Sequence, residues 1–202
     1  MEKRLIPLLQ GRLLQGRQGH FHLESGHHGD LWFALETLCQ KPRMIQSLAA
    51  QLAAHLARYE VEVVCGPLVE GAFVALMVAL ELDCEFTYAE RFQDSTSEGL
   101  FPVEYRLPQA LCAAVRGKRV AIVNDVINAG SAVRGTFANL KAVGANVVAI
   151  GALLALGDAI ERFANEQHVG LELLERMPNN LWTPAKCPLC AEGVTLEIVG
   201  TA

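Results

Sequence analysis

The feature that most narrows what this chain can fold into is the grammar between Val61 and Leu174, where short apolar runs alternate with helix-length stretches. Val61-Glu62-Val63-Val64-Cys65, Glu85 to Ala89, Arg119-Val120-Ala121-Ile122-Val123, Asn146 to Leu154 and Val169 to Leu174 read as strands. Runs such as Val120 to Val123 have no polar partner face, which is the pattern of a strand covered on both sides. Ala72 to Leu82 reads as an almost wholly apolar helix, and a second helix should run to about Val143. Strands joined by helices imply an α/β fold with a central parallel sheet flanked by helices and right-handed crossovers. Ligands in such folds bind at the carboxyl ends of the strands. Composition agrees: 51% of the 202 residues are hydrophobic but only 6% are aromatic, so Ala, Val and Leu fill the core, and disorder is excluded.

Ahead of this region, Arg4 to Leu14 has helical spacing and ends in a glycine-rich stretch through Gly19. Phe21 and Leu23 alternate with His20, His22 and Glu24, Ser25 to Asp30 reads as a turn, and Leu31 to Ala34 as a returning strand. Pro42 suits the first position of a helix to about Arg58, with Ile45, Leu48, Leu52 and Leu56 inward. Arg91 to Gly99 is polar enough to predict a mobile loop, followed by a strand at Val103 to Arg106 and a link through Pro108. A net charge of −5 argues against a nucleic-acid partner. No apolar run approaches the roughly 18 residues that would cross a membrane. Met1 to Pro7 shows no secretion signal, so a cytoplasmic location is expected. The six cysteines are then not a disulfide framework, and Cys39, Cys65, Cys84 and Cys112 read as core filling.

The strand ending at Val123 delivers Asn124 and Asp125 to its carboxyl end. Val126, Ile127, Asn128, Ala129, Gly130, Ser131 and Ala132 then form a short loop that opens a helix. Backbone amides there, backed by the helix dipole, make a phosphate cradle, with Asp125 available for ribose hydroxyls. The same residues equally describe an ordinary strand-turn-helix connection with Asp125 as a cap.

Val120-Ala121-Ile122-Val123, Asp125-Val126-Ile127 and Gly130 resemble the phosphoribosyl diphosphate (PRPP) motif of the type I phosphoribosyltransferases. Gly19 to Gly26, Gly66-Pro67 with Gly71, Ala89-Glu90-Arg91 and the tail Cys187 to Gly193 are similar to landmarks of its orotate branch. The resemblance implies one domain over residues 1–202: an N-terminal helix and a hood hairpin over the site (1–40), an α/β core (41–176) and a CxxC tail (177–202). It implies transfer of ribose 5-phosphate from PRPP to a pyrimidine or related base, release of pyrophosphate, Mg²⁺ as cofactor and a homodimer. Asp125 and Arg91 would be the catalytic residues, Asn124 to Ala132 would hold PRPP, and Phe33, His27 and Asn128 would face the base. Helices between Ile45 and Leu82 offer material for the dimer interface.

Several positions depart from that pattern. Asn124 stands where the family carries an acidic residue, and Glu70 where it has a small one beside pyrophosphate. Phe92 to Gly99 holds no lysine, and Leu156 falls where the branch places a base-site arginine. A buried leucine cannot pair with a carboxylate, so a neutral base is expected. The alternative is a homologue impaired in catalysis that binds PRPP or a nucleotide as a sensor or accessory subunit. His20, His22, His27 and His28 read as a solvated hairpin. Cys187 and Cys190 make half a zinc site, to which His168 or a second subunit would have to contribute. A reduced pair in a C-terminal hairpin is the simpler reading. Arg116 to Arg119 reads as a solvated corner.

Overall fold

The computed structural model describes residues 16–93 and 99–199. The expected helix at Arg4 to Leu14 and most of the expected loop after Arg91 lie outside them. Among the described residues the strands form two sheets. The larger, in the order β5-β4-β3-β6-β7-β8, comprises β3 (Val63–Pro67), β4 (Glu85–Gln93), β5 (Val103–Arg106), β6 (Arg119–Ile127), β7 (Asn146–Leu156) and β8 (Gly170–Met177). It is parallel except for β5, which runs antiparallel to β4 at the edge.

Adjacent residues of one strand face opposite sides, and both sides are covered. Val64, Ala121 and Val123 face a core shared with α1 (Pro42–Leu56) and α2 (Glu70–Leu82). Val63, Cys65, Val120 and Ile122 face a second core shared with α4 (Ser131–Ala142) and α5 (Ala159–Gln167). The apolar strand runs therefore arise from burial on two faces. On α1, Ile45, Leu48, Leu52 and Leu56 are the buried stripe, and Pro42 opens the helix.

Several boundaries differ from the sequence expectation: β4 runs past Ala89 through the start of the expected loop, and β2 begins at His28 inside the expected turn. Strand β6 continues past Val123 because Asn124, Val126 and Ile127 pair with Ala152, Leu154 and Ala155 of β7. Strand β3 likewise continues past Cys65, because Gly66 and Pro67 pair with Tyr88 and Ala89. The link after Pro108 coils into α3 (Gln109–Val115), with the Leu111 N–H donating to the Pro108 carbonyl. For β3 and β6 the deciding hydrogen bonds come from neighbouring strands that periodicity does not identify.

The second sheet, β10-β1-β2-β9, stands above the carboxyl ends of the large one. It joins the hairpin β1 (Gly16–His22) and β2 (His28–Phe33) to β9 (Leu181–Trp182) and β10 (Glu197–Ile198) from the tail. The tail also carries a one-turn helix, α6 (Pro188–Ala191). It does not fold on itself as a hairpin: β9 pairs with β2, and β10 pairs with β1. No helix among the described residues is long and apolar enough to cross a membrane.

Candidate active site

A cleft of about 390 Å³ lies where the carboxyl ends of β3, β4 and β6 meet the β1–β2 hairpin. Its floor is the β6–α4 connection, Asn124 to Ala132, so the segment singled out in sequence lines one cavity. Gly130 takes φ +86° and turns the chain into α4, which begins at Ser131 with no side-chain cap. The first-turn N–H groups of a helix have no intrahelical acceptor. Here they meet a cleft, with the helix dipole behind them, as an anion site requires. The Ser131 hydroxyl is buried and finds no hydrogen-bond partner among the described residues.

Asp125 is 3% exposed, and its Oδ2 likewise lacks a partner among the described residues. Burial pushes its carboxyl up to about 7, with the Glu70 charge adding to the rise and the Val126 backbone amide opposing it. An orphaned buried carboxylate oxygen is costly unless a ligand supplies a donor or a cation. Asn124 is committed locally: its Nδ2 donates to the Val126 carbonyl at 3.0 Å. Its Oδ1 sits against Gly71, where a Cβ would come within 2.0 Å, so the loop from β3 to α2 closes on β6 only with glycine there.

Arg91, near the end of β4, lines the cleft with its Nε 3.0 Å from Glu24 Oε2. The Tyr105 hydroxyl donates to the same carboxylate at 3.2 Å, and burial raises that phenol and keeps it protonated. Glu24, Glu70 and Asp125 line the same cleft as this guanidinium, and Glu24 pairs with it directly. The Glu70 and Asp125 carboxylates are hard oxygen donors, one orphaned and buried, of the kind that fits Mg²⁺. The opposite wall is apolar: Leu31, Trp32, Phe33, Leu35 and Leu156.

Of the residues expected at the base, Phe33 and Asn128 line the cleft. Asn128 Oδ1 accepts from Asn179 Nδ2 at 2.7 Å, which fixes the orientation of its amide. His27 is not among the lining residues; its ring packs on Phe101 at 5.6 Å and meets the Ser25 hydroxyl at 3.1 Å. Glu24 and Tyr105 escaped the sequence reading as site residues. The alternation of buried Val103 and Tyr105 with exposed Glu104 and Arg106 marks Tyr105 as inward, but not as a partner of residue 24. Arg134, also missed, donates to the Ala129 and Ala159 carbonyls and stacks over Phe163 at 4.4 Å, bracing the β6–α4 connection.

The histidines and tail cysteines also differ from expectation. His20 and His28 are buried rather than solvated, and they meet Cys187 and Cys190; His168 is not in that group.

Comparison with known proteins places this geometry. A family model for the phosphoribosyl transferase domain matches residues 35–182. An orotate phosphoribosyltransferase of Thermotoga maritima is 30% identical over 188 residues, covering 91% of each chain. One from Caldanaerobacter subterraneus is 26% identical over 201 residues, 100% of this chain and 98% of the other. Among solved structures, the adenine phosphoribosyltransferase of Trypanosoma brucei, in complex with AMP, pyrophosphate and ribose-5-phosphate, aligns with a TM-score of 0.63 at 14% identity. That alignment covers 84% of this chain and 79% of the other. UMP synthase of Leishmania donovani aligns with a TM-score of 0.62 at 19% identity, over 84% of this chain and 35% of that longer one. With the family model spanning residues 35–182 and the β6–α4 connection lining one cleft, this chain belongs to the phosphoribosyl transferase domain family.

Proposed function

We propose that the cleft binds PRPP and transfers its ribose 5-phosphate to a pyrimidine or related base that carries no carboxylate. The observation that carries this reading is the pairing of an uncapped, amide-lined α4 start with an orphaned Asp125 carboxylate, opposite an apolar wall that contains Leu156. Asn128 to Ala132 would hold the 5′-phosphate on backbone amides, with the Ser131 hydroxyl as a further donor. Asp125 would accept ribose hydroxyls, and Asn124 would hold the loop through Val126. Arg91 would turn toward the departing pyrophosphate.

In the transfer, the base nitrogen lone pair forms the bond to the ribose anomeric carbon. The carbon–oxygen bond to pyrophosphate breaks, and its electron pair leaves with the pyrophosphate. The transition state carries positive charge on the ribose, so positioning and nearby carboxylates do most of the work. Mg²⁺, held by Glu70 and Asp125 together with the substrate, would screen the diphosphate from the carboxylates that face it. Leu31, Trp32 and Phe33 would cover the reacting centre and exclude water.

A homodimer fits the same reading. Val69, Phe73, Leu76 and Leu80 form an exposed apolar stripe along α2, at 55%, 45%, 51% and 74% exposure. A helix apolar on nearly every side normally has both faces covered.

The test is pyrophosphate release from Mg²⁺-PRPP with a panel of bases that includes uracil and orotate. The expected result is faster release with a neutral base than with orotate. Rapid orotidylate formation would overturn the neutral-base assignment. Tight PRPP binding with no release from any base would favour the sensor or accessory role.

A further inference from the structure

We propose that His20, His28, Cys187 and Cys190 form a structural zinc site that fastens the hairpin above the cleft to the C-terminal tail. Their candidate ligand atoms all lie within 4.8 Å of one another. His20 Nε2 is 3.3 Å from Cys187 Sγ, 3.7 Å from Cys190 Sγ and 3.2 Å from His28 Nδ1. Cys190 Sγ is 3.2 Å from His28 Nδ1. A tetrahedral zinc with bonds of about 2.3 Å to sulfur and about 2.0–2.1 Å to nitrogen has ligand-to-ligand edges of roughly 3.3–3.8 Å. Four of the six ligand pairs, at 3.2–3.7 Å, stand close to that spacing, and all six fall within 4.8 Å. Two thiols and two imidazoles are also the donor set that zinc prefers over Mg²⁺ or Ca²⁺.

Two details of the backbone prepare the site. His20 Nδ1 lies 2.9 Å from the Val194 carbonyl, which can only accept, so Nδ1 carries the proton and Nε2 presents its lone pair to the cluster. The register of β1 against β2 slips between Gln18 and Phe21. His20 and Phe21 are therefore both buried, at 1% and 0% exposure, where strict alternation would send one outward.

The tail needs such a fastening. From 184 to 199, Cys187 is the one buried residue. Tail strand β10 contributes two residue pairs to β1, and β9 contributes two to β2. A segment with so little apolar burial cannot offset its ordering entropy through packing. Four bonds from a closed metal site, whose ligands lie 167 residues apart in the chain, supply what the packing lacks. All four positions are filled by protein, so the site is structural and leaves no open coordination for a substrate.

The test uses the full chain purified under reducing conditions. Elemental analysis should find about one zinc per chain, the stoichiometry of one closed site. After removal by chelator, titration with Co²⁺ should give the visible bands of tetrahedral cobalt together with thiolate-to-metal charge transfer. Cys187→Ser/Cys190→Ser should abolish both signals, and His20→Ala should weaken metal affinity at least roughly 100-fold. His168→Ala and Cys39→Ser should leave both signals unchanged. The cobalt spectrum belongs to the unaltered protein, so it decides the question even if a variant fails to fold. A folded wild-type chain that takes up neither zinc nor cobalt would overturn the proposal. So would a cobalt spectrum without thiolate charge transfer, or one that persists in the double cysteine variant.

Discussion

At pH 8 the Asp125 carboxyl is ionised, buried and beside Glu70, whereas in the unfolded chain it titrates near 3.8. Its folded value of about 7 lies above the unfolded one, so between these values the folded state holds a proton that the unfolded state has released. Stability from this group is therefore greatest below about pH 4 and declines as pH rises toward 7. Asp125→Asn removes that cost. Its unfolding free energy from urea titration should exceed wild type at pH 8, by on the order of a few kcal/mol at most, and match it near pH 4. The same substitution should lower kcat/KM for PRPP by roughly 100-fold or more, the scale of losing one group that stabilises transition-state charge. In the wild type, kcat/KM should rise through about pH 7 as the carboxylate becomes available to the ribose hydroxyls. A variant that is both stabilised and inactive would mark Asp125 as kept for function. In sequence Asp125 was legible because a lone acid closes an apolar strand. Glu24 and Tyr105, which meet at the same cleft, were not, because nothing local sets their distance to each other or to the strand end.

Among the elements, the joint between β3 and α2 is the most tightly specified. The Gly71 Cα faces Asn124 Oδ1 and Pro67, leaving no room for a methyl group. Gly71→Ala should displace Asn124, break its bond to the Val126 carbonyl and disturb the phosphate loop two residues on. The expected cost is about 1–3 kcal/mol in thermal or urea unfolding, with weaker PRPP binding in calorimetry. Unchanged binding would show that Asn124 does not position the loop. The parallel strands were legible because burial on both faces removes polar residues from them. Their extensions were not: Asn124 and Asp125 look like loop residues until β7 supplies the pairing partners, and Gly66-Pro67 does so until β4 does. The hood was legible only in part. The alternation of Phe21 and Leu23 gave a strand, but the slip that buries His20 depends on how β2 sits against β1. The Cys187–Cys190 pair showed the spacing of a metal site, while its histidines come from a hairpin more than 150 residues away.

At the scale of the whole molecule, charge and shape agree. Few cations line the cleft, Arg91 among them, and three carboxylates with an apolar wall make up much of the rest. That composition suits a neutral base and a diphosphate accompanied by a divalent cation. Beginning at Val69 on the cleft's rim, the α2 stripe is an exposed apolar face that a second copy would cover. Light scattering coupled to size exclusion should report a dimer, and Phe73→Glu/Leu80→Glu should convert it to a folded monomer. A monomeric wild type would remove the homodimer from the account. The central claim, that the β6–α4 connection is a PRPP cradle, is tested most directly by calorimetric titration of the wild-type chain with PRPP, with and without Mg²⁺. The expected result is one saturable site per chain, tightened by Mg²⁺ and weakened in Asp125→Asn. A folded wild-type chain that shows no PRPP binding under either condition would contradict it.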